Sequence, residues 1–238
     1  MSIGLYIVLA PLYLKSVRKL QEKRFVFVKI LAIIIPENGA KVSKIKCFQF
    51  AQQTLNTEVK NVETLQADEV IVATGAVART IPVKGVEHAM DAVEYLLGEK
   101  EVGENVTIIG GGLTGCEIAY DLYLQGKKPT IVEMKNDLIA VKGICLANAS
   151  YMRDFFATNK VPVHLETTLS EVLEDGVIAV DKYGKSFKID ADSVIMSVGY
   201  KPAPLAEKSK HVHLIGDALA VGNLRTVIWN AWDVAMKL

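Results

Sequence analysis

Cysteine, net charge and long apolar runs are all scarce in this 238-residue chain, and each scarcity excludes a class of protein. The three cysteines, Cys47, Cys116 and Cys145, form no CxxC pair, which excludes a disulfide framework and a zinc cage and suits a reducing cytoplasm. The formal net charge of zero argues against a protein whose main partner is nucleic acid. The chain is 50% hydrophobic and 23% charged, which is typical of a folded protein with a genuine core.

The first fifty residues differ from the rest of the chain in charge. They contain nine Lys or Arg residues and two acidic residues, so they carry about +7 and the remaining residues about −7. Their two apolar runs, Ile3 to Leu14 and Phe25 to Pro36, each span 12 residues, short of the roughly 20 that a membrane-spanning helix needs. Three interpretations of residues 1–53 stay open: a strand and helix packed on the rest, which we favour, a membrane-surface anchor, or the remnant of a truncated gene.

From about residue 54, short apolar runs alternate with glycine turns and helical spacing. Strands are predicted over Val70–Ala73, Val106–Ile109 and Pro129–Glu133, with a helix over Leu113–Gln125 between the last two. A strand, a glycine turn, a helix and a second strand within about thirty residues form a βαβ unit with a right-handed crossover. The sequence therefore predicts a parallel sheet.

The second half of the chain adds an antiparallel element. Runs at Leu169–Leu173, Val177–Asp181 and Ser186–Ile189 are separated by Asp175-Gly176 and Tyr183-Gly184, so we predict a three-stranded meander. The other predicted elements are helices at Asp91–Leu97, Ala149–Thr158 and Leu224–Lys237 and strands at Val161–Leu165, Ser193–Ser197 and His213–Ile215. Asn223 is the expected N-cap of the last helix, which is amphipathic.

Three glycines of the βαβ unit, Gly110, Gly112 and Gly115, form a GxGxxG pattern directly after a strand and at the start of a helix. Gly110 permits the tight turn, Gly112 lets the backbone approach a pyrophosphate, and Gly115 lets the helix pack closely on the strand. The helix N-terminus then offers unpaired N–H groups to a diphosphate. The predicted diphosphate-binding residues are Gly110, Gly111, Gly112, Leu113, Thr114 and Gly115.

Glu133 ends the second strand of this unit, 23 positions after Gly110. A carboxylate in that place can accept hydrogen bonds from both hydroxyls of an adenosine ribose and repels a 2′-phosphate, which predicts NADH rather than NADPH. A solvated strand-end glutamate is the alternative. Lys135 could soften the repulsion of a 2′-phosphate.

Four segments occur in the order seen in two-dinucleotide-binding flavoproteins: VIVATGA (70–76), IIGGGLTGCE (108–117), IVEM (131–134) and HLIGDA (213–218). More narrowly, residues 54–238 resemble the C-terminal part of the enoate reductase / 2,4-dienoyl-CoA reductase family. Those are NADH:flavin oxidoreductases in which an old yellow enzyme-like barrel is fused to an FAD/NAD module. The resemblance covers roughly 185 of the 238 residues.

The resemblance implies an α/β two-dinucleotide-binding flavoprotein fold. A complete Rossmann-like NAD(H)-binding domain at about 104–202, with the parallel sheet and the meander, would be inserted in an incomplete FAD-binding domain made of 54–103 and 203–238. Asp217 would bond the FAD ribityl chain, and Thr74 and Gly75 would lie at the domain crossover. The other cofactor positions that it implies are Glu117, near the nicotinamide, and the strand-end glycines Gly199 and Gly216. Glu117 could equally be an exposed glutamate in the first helical turn.

The sequence departs from that family in several ways. No two glycines before Gly103 are close enough for a first FAD fingerprint. The chain has no room for a barrel of about 250 residues beside this module. It has neither a cysteine cluster for an iron–sulfur centre nor the paired cysteines of disulfide reductases. A truncated module of the family is therefore expected.

The predicted function is an NADH-dependent flavin oxidoreductase module that passes hydride from NADH to FAD, for reduction of an acceptor such as an activated alkene. The alternative is a truncated, non-catalytic NAD(H)-binding module that does not hold FAD. The expected partners are the dinucleotides and an old yellow enzyme-like domain, or another chain, that supplies the missing FAD half. Because the cofactors carry the hydride chemistry, no general acid or base is predicted.

Five other residues stand out but carry weaker predictions. Cys116 is expected to pack against the sheet, although a helix N-terminus lowers the pKa of a thiol. His211 and His213 lack the further ligands that a metal needs, so no metal site is predicted. Trp229 and Trp232 are expected to be packing residues, with an interface to a partner domain as the alternative.

Overall fold

The computed structural model describes residues 5–9, 58–65, 67–140 and 145–238. The chain divides into two compact units, one made of Met1–Val77 with Lys201–Leu238 and the other of Ala78–Tyr200. We call them the outer unit and the inserted unit, because the second interrupts the first in sequence. The functional domains expected at 54–103 with 203–238 and at 104–202 stay a prediction.

Regular structure covers most of the described chain beyond residue 68. The described strands are β1 (Leu5–Leu9), β2 (Glu69–Ala73), β3 (Ala76–Ala78), β4 (Met90–Asp91), β5 (Asn105–Ile109), β6 (Lys128–Val132), β7 (Val163–His164), β8 (Thr168–Leu173), β9 (Gly176–Val180), β10 (Ser186–Asp190), β11 (Ser193–Met196), β12 (Tyr200–Pro202) and β13 (Val212–Leu214). The described α-helices are α1 (Ala92–Leu96), α2 (Leu113–Leu124), α3 (Leu146–Thr158) and α4 (Leu224–Ala235). The strands and helices predicted between residues 70 and 237 are confirmed, with small differences at their ends.

A five-stranded parallel sheet, in the order β4-β11-β5-β6-β7, forms the centre of the inserted unit. The central strand β5 reads Asn-Val-Thr-Ile-Ile, a nearly continuous apolar run that suits a strand covered on both faces. Parallel neighbours need a crossover, and α2 provides it between β5 and β6. The predicted βαβ unit is therefore present.

Helices cover one face of this sheet. The buried side of α2 presents Cys116, Ile118, Ala119 and Leu122, each at most 1% exposed, at the three- and four-residue spacing of one helical face. They pack in one cluster with Ile108 of β5 and with residues of α3. Full burial of a side chain as large as Leu122 contributes roughly 2 kcal/mol, so packing rather than helix propensity holds α2 in place.

The meander covers the other face. Strands β8, β9 and β10 pair antiparallel in the order β10-β9-β8, as predicted. Val172 and Val177 of the meander pack in one buried cluster with Ile109 of β5 and Met196 of β11. The sheet is thus buried on both faces, and the carboxyl ends of β5, β6 and β11 lie together at one edge.

The outer unit contains a three-stranded parallel sheet in the order β1-β2-β13. Its described core is small and centres on Val62, Val70 and Val72. Helix α4 starts with a capping box, in which Thr226 N–H donates to Asn223 Oδ1 at 3.1 Å and Asn223 N–H donates to Thr226 Oγ1 at 2.9 Å. The predicted N-cap at Asn223 is confirmed.

The interpretations of residues 1–53 are tested only at Leu5–Leu9, where β1 pairs parallel with β2. That strand lies within the first apolar run, whereas the run from Phe25 to Pro36 lies outside the described residues. Among the residues that the structure describes, no helix has the length and apolar composition needed to cross a bilayer.

Candidate dinucleotide-binding site

The glycine turn between β5 and α2 needs glycine at two positions for steric reasons. Gly110 has φ +109°, and a Cβ there would overlap the carbonyl oxygen of Ser197, which follows β11. A Cβ on Gly115 would overlap the carbonyl oxygen of Gly110. Helix α2 therefore lies against the end of β5 as closely as the backbone allows, and its first turn faces the edge of the sheet.

The start of α2 is open in front of Gly112. A Cβ built on Gly112 would meet no atom within 4 Å. Gly112 is the N-cap of α2, and no described side chain caps its free N–H groups. Such a helix start leaves N–H donors and a partial positive charge for an anion. The residues present therefore fit the diphosphate of a dinucleotide, with the N–H groups of Gly112, Leu113 and Thr114 as donors.

Glu133, directly after β6, places its carboxylate beside this turn. The residue is only 7% exposed. Its Oε2 accepts the Gly111 N–H at 2.6 Å, and its Oε1 accepts the Lys135 N–H at 2.8 Å. Two charge-assisted bonds to backbone donors fix the orientation of the carboxylate. Each oxygen keeps a further lone pair for a ribose hydroxyl, so the residue fits the predicted role.

The other two predicted residues of the inserted unit, Gly199 and Glu117, do not form part of the glycine turn. Gly199, with φ +90°, follows the end of β11, next to the end of β5. Its carbonyl accepts the Arg79 N–H at 2.9 Å. Glu117 is exposed on α2. Exposure is compatible with both alternatives given for Glu117, so its role near a nicotinamide stays a prediction.

In the outer unit, Thr74 and Gly75 follow β2. The Thr74 hydroxyl donates to the Ala203 carbonyl at 2.6 Å, and the Gly75 carbonyl accepts the Ala203 N–H at 3.0 Å. Both residues are therefore hydrogen-bonded to Ala203, which belongs to Lys201–Leu238, the second chain segment of the outer unit.

Gly216 and Asp217 follow β13, the neighbour of β2, so they lie at the same edge of that sheet as Thr74. They form a short 3-10 helix, Gly216–Ala218. Asp217 Oδ1 accepts the Gly222 N–H at 3.0 Å. The structure thus brings the four predicted outer-unit positions to one edge of the sheet.

The sequence of the outer unit has no close glycine pair before Gly75 that could form a diphosphate turn for FAD. In sequence, β1 is followed by Ala10-Pro11-Leu12-Tyr13, and the chain has only Gly4 and Gly39 before Gly75. The turn in the inserted unit shows why this matters, because side chains at Gly110 and Gly115 would overlap backbone oxygens. Among its described residues, the outer unit fits FAD at the Thr74 and Asp217 end.

Thiol chemistry at Cys116 is disfavoured by its surroundings. Cys116 is 0% exposed, and its Sγ–H donates to the Gly111 carbonyl at 3.5 Å. Burial, with a smaller contribution from the nearby Glu133 carboxylate, raises the pKa of the thiol to about 12. The thiol stays protonated at neutral pH, and the packing prediction is confirmed. The other cysteine in the described part of the chain, Cys145, is exposed.

The two histidines at strand spacing share one carboxylate. His213 Nε2 lies 2.7 Å from Glu69 Oε2, and His211 Nδ1 lies 3.4 Å from Glu69 Oε1. The hydrogen bond from His213 is the main reason that the pKa of Glu69 lies below its ordinary value. No group of side chains among the described residues is suited to hold a metal ion.

The packing prediction for the tryptophans of α4 is wrong. Trp229 and Trp232 are 56% and 48% exposed. They belong to an apolar surface of α4 that is exposed in the described structure and consists of Leu224, Ile228, Trp229, Trp232 and Met236. The alternative, an interface with a partner domain, stays a prediction.

The loop that follows Glu133 is held by a residue that no sequence pattern predicted, Arg153. Arg153 of α3 binds Asp137 through two nitrogens and the Leu138 carbonyl through one, and Ile139 N–H donates to the Gly111 carbonyl. No spacing rule links Arg153 to Asp137. A residue sixteen positions away meets the loop only because α3 folds back on the sheet.

A parallel sheet with a glycine turn, an open helix start and a strand-end carboxylate defines a dinucleotide-binding α/β protein. The family model described as "Pyridine nucleotide-disulphide oxidoreductase" matches residues 14–230, and the chain belongs to that family. Proteins of this family bind FAD and NAD(H). The enoate reductase-like resemblance and the predicted fold class are confirmed.

The chain is similar to longer reductases and oxidases. The chain is 36% identical to "Cinnamate reductase" of Clostridium sporogenes over 212 residues, which is 82% of this chain and 31% of that protein. It is 33% identical to "NADH oxidase" of Thermoanaerobacter brockii over 198 residues, which is 77% of this chain and 30% of that protein. The chain thus spans about a third of the length of these curated relatives.

Solved structures show the same fold. A 2-naphthoyl-CoA reductase superposes with a TM-score of 0.65 at 23% identity, over 72% of this chain and 27% of that chain. Thioredoxin reductase of T. acidophilum superposes with a TM-score of 0.57 at 19% identity, over 72% of this chain and 65% of that chain.

Proposed function

We propose that this chain binds NADH through the inserted unit and is a module of an NADH-dependent flavin oxidoreductase. One observation carries the proposal. The open start of α2 at Gly112 lies beside the Glu133 carboxylate, which two backbone N–H groups already orient. The turn would bind the diphosphate, and the carboxylate would accept hydrogen bonds from the adenosine ribose.

The charge of Glu133 supports NADH as the preferred nucleotide. A 2′-phosphate on the ribose would bring a dianion against a carboxylate that is almost fully buried. Like charges placed together cost several kcal/mol, which corresponds to a preference for NADH of at least about 100-fold. The nearby Lys135 is tied through its Nζ to the Ala140 carbonyl at 3.4 Å, which leaves it less able to offset that repulsion.

The reaction that we propose is passage of hydride from NADH to FAD, for reduction of an acceptor such as an activated alkene. When bound, FAD supplies the hydride-accepting chemistry, and the protein supplies position and field. The likeness to a cinnamate reductase and to a 2-naphthoyl-CoA reductase supports this class of acceptor. An old yellow enzyme-like domain, or another chain, would supply the remaining FAD contacts.

A second candidate function is an NAD(H)-binding module that does not hold FAD. The outer unit motivates it, because the sequence after β1 has no glycine pair for a diphosphate turn. Flavin content separates the two candidates. Purified protein with the absorbance bands of flavin supports the first, and colourless protein that still binds NADH supports the second. Absence of NADH binding by calorimetry would overturn both.

Glu133→Arg tests the assignment of the ribose contact. The variant replaces a carboxylate that repels a 2′-phosphate with a cation that attracts it. We expect the NADH/NADPH affinity ratio to fall at least about 100-fold, measured by calorimetric titration with both nucleotides. Glu174→Arg, a charge reversal in the turn between β8 and β9, is the control and should leave the ratio unchanged. An unchanged ratio in Glu133→Arg would contradict the assignment.

A further inference from the structure

The loop that follows β6 is bonded into the glycine turn. We call residues 134–140 the ribose loop. Ile139 N–H donates to the Gly111 carbonyl at 2.8 Å, while Gly111 N–H donates to Glu133 Oε2 at 2.6 Å. Lys135 N–H, within the loop, donates to the other carboxylate oxygen, Glu133 Oε1, at 2.8 Å. The direction of the Glu133 carboxylate therefore depends on where the ribose loop lies.

Arg153 of α3 holds the middle of this loop. Its Nε donates to Asp137 Oδ1 at 2.8 Å, and its Nη2 lies 2.8 Å from Asp137 Oδ2 and donates to the Leu138 carbonyl at 2.6 Å. A planar guanidinium can make these three contacts together, whereas an ammonium group cannot reproduce the fork. Helix α3, which carries Arg153, packs against α2 through Phe155, whose ring lies edge-on to the Tyr120 ring at a centroid distance of 4.6 Å.

The backbone of the ribose loop is strained at Ile139, so the contacts from Arg153 help to keep the loop in this conformation. Ile139 is 3% exposed and has φ +52°, a conformation that is unusual for a β-branched residue. The ion pair itself is only partly buried, since the side chains of Arg153 and Asp137 are 33% and 50% exposed. Pairs this exposed add little to global stability, so the effect of Arg153 is expected to be local.

We propose that Arg153 is a positioning residue that determines how strongly the site recognises the adenosine ribose. It acts through Asp137 and Leu138 on the ribose loop, and the loop acts through Lys135 and Gly111 on the Glu133 carboxylate. This inference rests on the proposed binding of NADH to the inserted unit. It adds a residue of the following helix to a site otherwise built from the turn and the strand end.

The test compares NADH with its 2′-deoxyadenosine analogue, which lacks one of the hydroxyls that Glu133 would bind. Calorimetric titration of the full chain should give about tenfold tighter binding of NADH. In Arg153→Lys, which keeps the charge but loses the fork, that ratio should fall to about twofold. A merely structural defect, or loss of charge attraction, would weaken both ligands equally and leave the ratio unchanged, which would overturn the proposal.

Two further variants make the result specific. Lys128→Met breaks the exposed ion pair with Glu104 at the other edge of the sheet and should leave the ratio at its wild-type value. Arg153→Lys added to Glu133→Gln should lower the ratio no further, because the group through which Arg153 acts is already altered. Wild-type protein that binds neither ligand would overturn the proposed function itself, whereas wild-type binding with an unchanged ratio in Arg153→Lys would overturn only this inference.

Discussion

The inserted and outer units are both built on parallel strands with glycines at their carboxyl ends, but the described residues of the two units differ in the depth of the core that they form. The inserted unit buries two apolar clusters, one on each face of its sheet. The described core of the outer unit centres on three valines, and its helix α4 exposes a row of large apolar side chains. A sheet covered on both faces supports a precise site, whereas in the described part of the outer unit an apolar face of α4 is exposed.

The strand-end glycines also differ in what they do. At Gly110 and Gly115 an added Cβ would overlap backbone oxygens, so glycine is needed for close approach. At Gly75 an added Cβ would meet nothing within 4 Å, and its φ of +78° is what favours glycine there. A glycine at the end of a strand therefore does not by itself indicate a diphosphate-binding turn.

The largest expected effect comes from matched Ile→Ala changes in the two units. Ile108 is 0% exposed in the inserted unit, and Ile228 is 51% exposed on α4. Ile108→Ala should lower the free energy of unfolding by about 4 kcal/mol, because it removes buried methyl groups and leaves a cavity. Ile228→Ala should change it by less than about 0.5 kcal/mol.

Urea unfolding followed by circular dichroism, with hydrogen exchange to assign each transition to a unit, measures both values. Equal losses at the two positions would contradict the comparison, since they would mean that α4 is covered by something that this chain supplies.

A second pair of variants separates the two roles of glycine in the turn. Gly115→Ala should destabilise the inserted unit by about 3 kcal/mol, because α2 has to move away from β5. Gly112→Ala should cost about 0.5 kcal/mol, because φ −68° suits alanine and the space is open.

Gly112→Ala should nevertheless weaken NADH binding about tenfold, because its methyl group enters the place proposed for the diphosphate. Thermal unfolding and calorimetric titration check the two effects separately. Wild-type affinity in Gly112→Ala would show that the open space is not the diphosphate site.

The smallest expected effect is a gain in stability within the inserted unit. Thr107 of β5 is 1% exposed, and its hydroxyl has no hydrogen-bond partner among the described residues. Thr107→Val keeps the shape and removes an unsatisfied polar group, which should raise the free energy of unfolding by about 1 kcal/mol. Thr130→Val, at the paired position of β6, is the control and should change it less, because Thr130 is only half-buried. A loss of stability in Thr107→Val would mean that the hydroxyl has a partner.

Sequence patterns predicted the local elements well and the distant contacts poorly. The turn at Gly110 and the helix from Leu113 follow from local sterics and from apolar spacing, so their positions could be predicted without a structure. Glu133 could be proposed because its distance along the chain from Gly110 is set by one helix and one strand. Arg153 could not, since its bond to Asp137 depends on how α3 packs. The exposure of Trp232 was mispredicted because an apolar helical face indicates burial without saying what covers it.

What the sequence determined by itself is therefore the order of strands, turns and helices and the position of the glycine turn, because apolar spacing and turn residues act on neighbours in the chain. The tertiary structure decided which apolar faces are covered, how Arg153 holds the ribose loop and how the Glu133 carboxylate is aimed. The physical reason is that burial and side-chain bonds between distant segments arise only when the sheet and helices have packed.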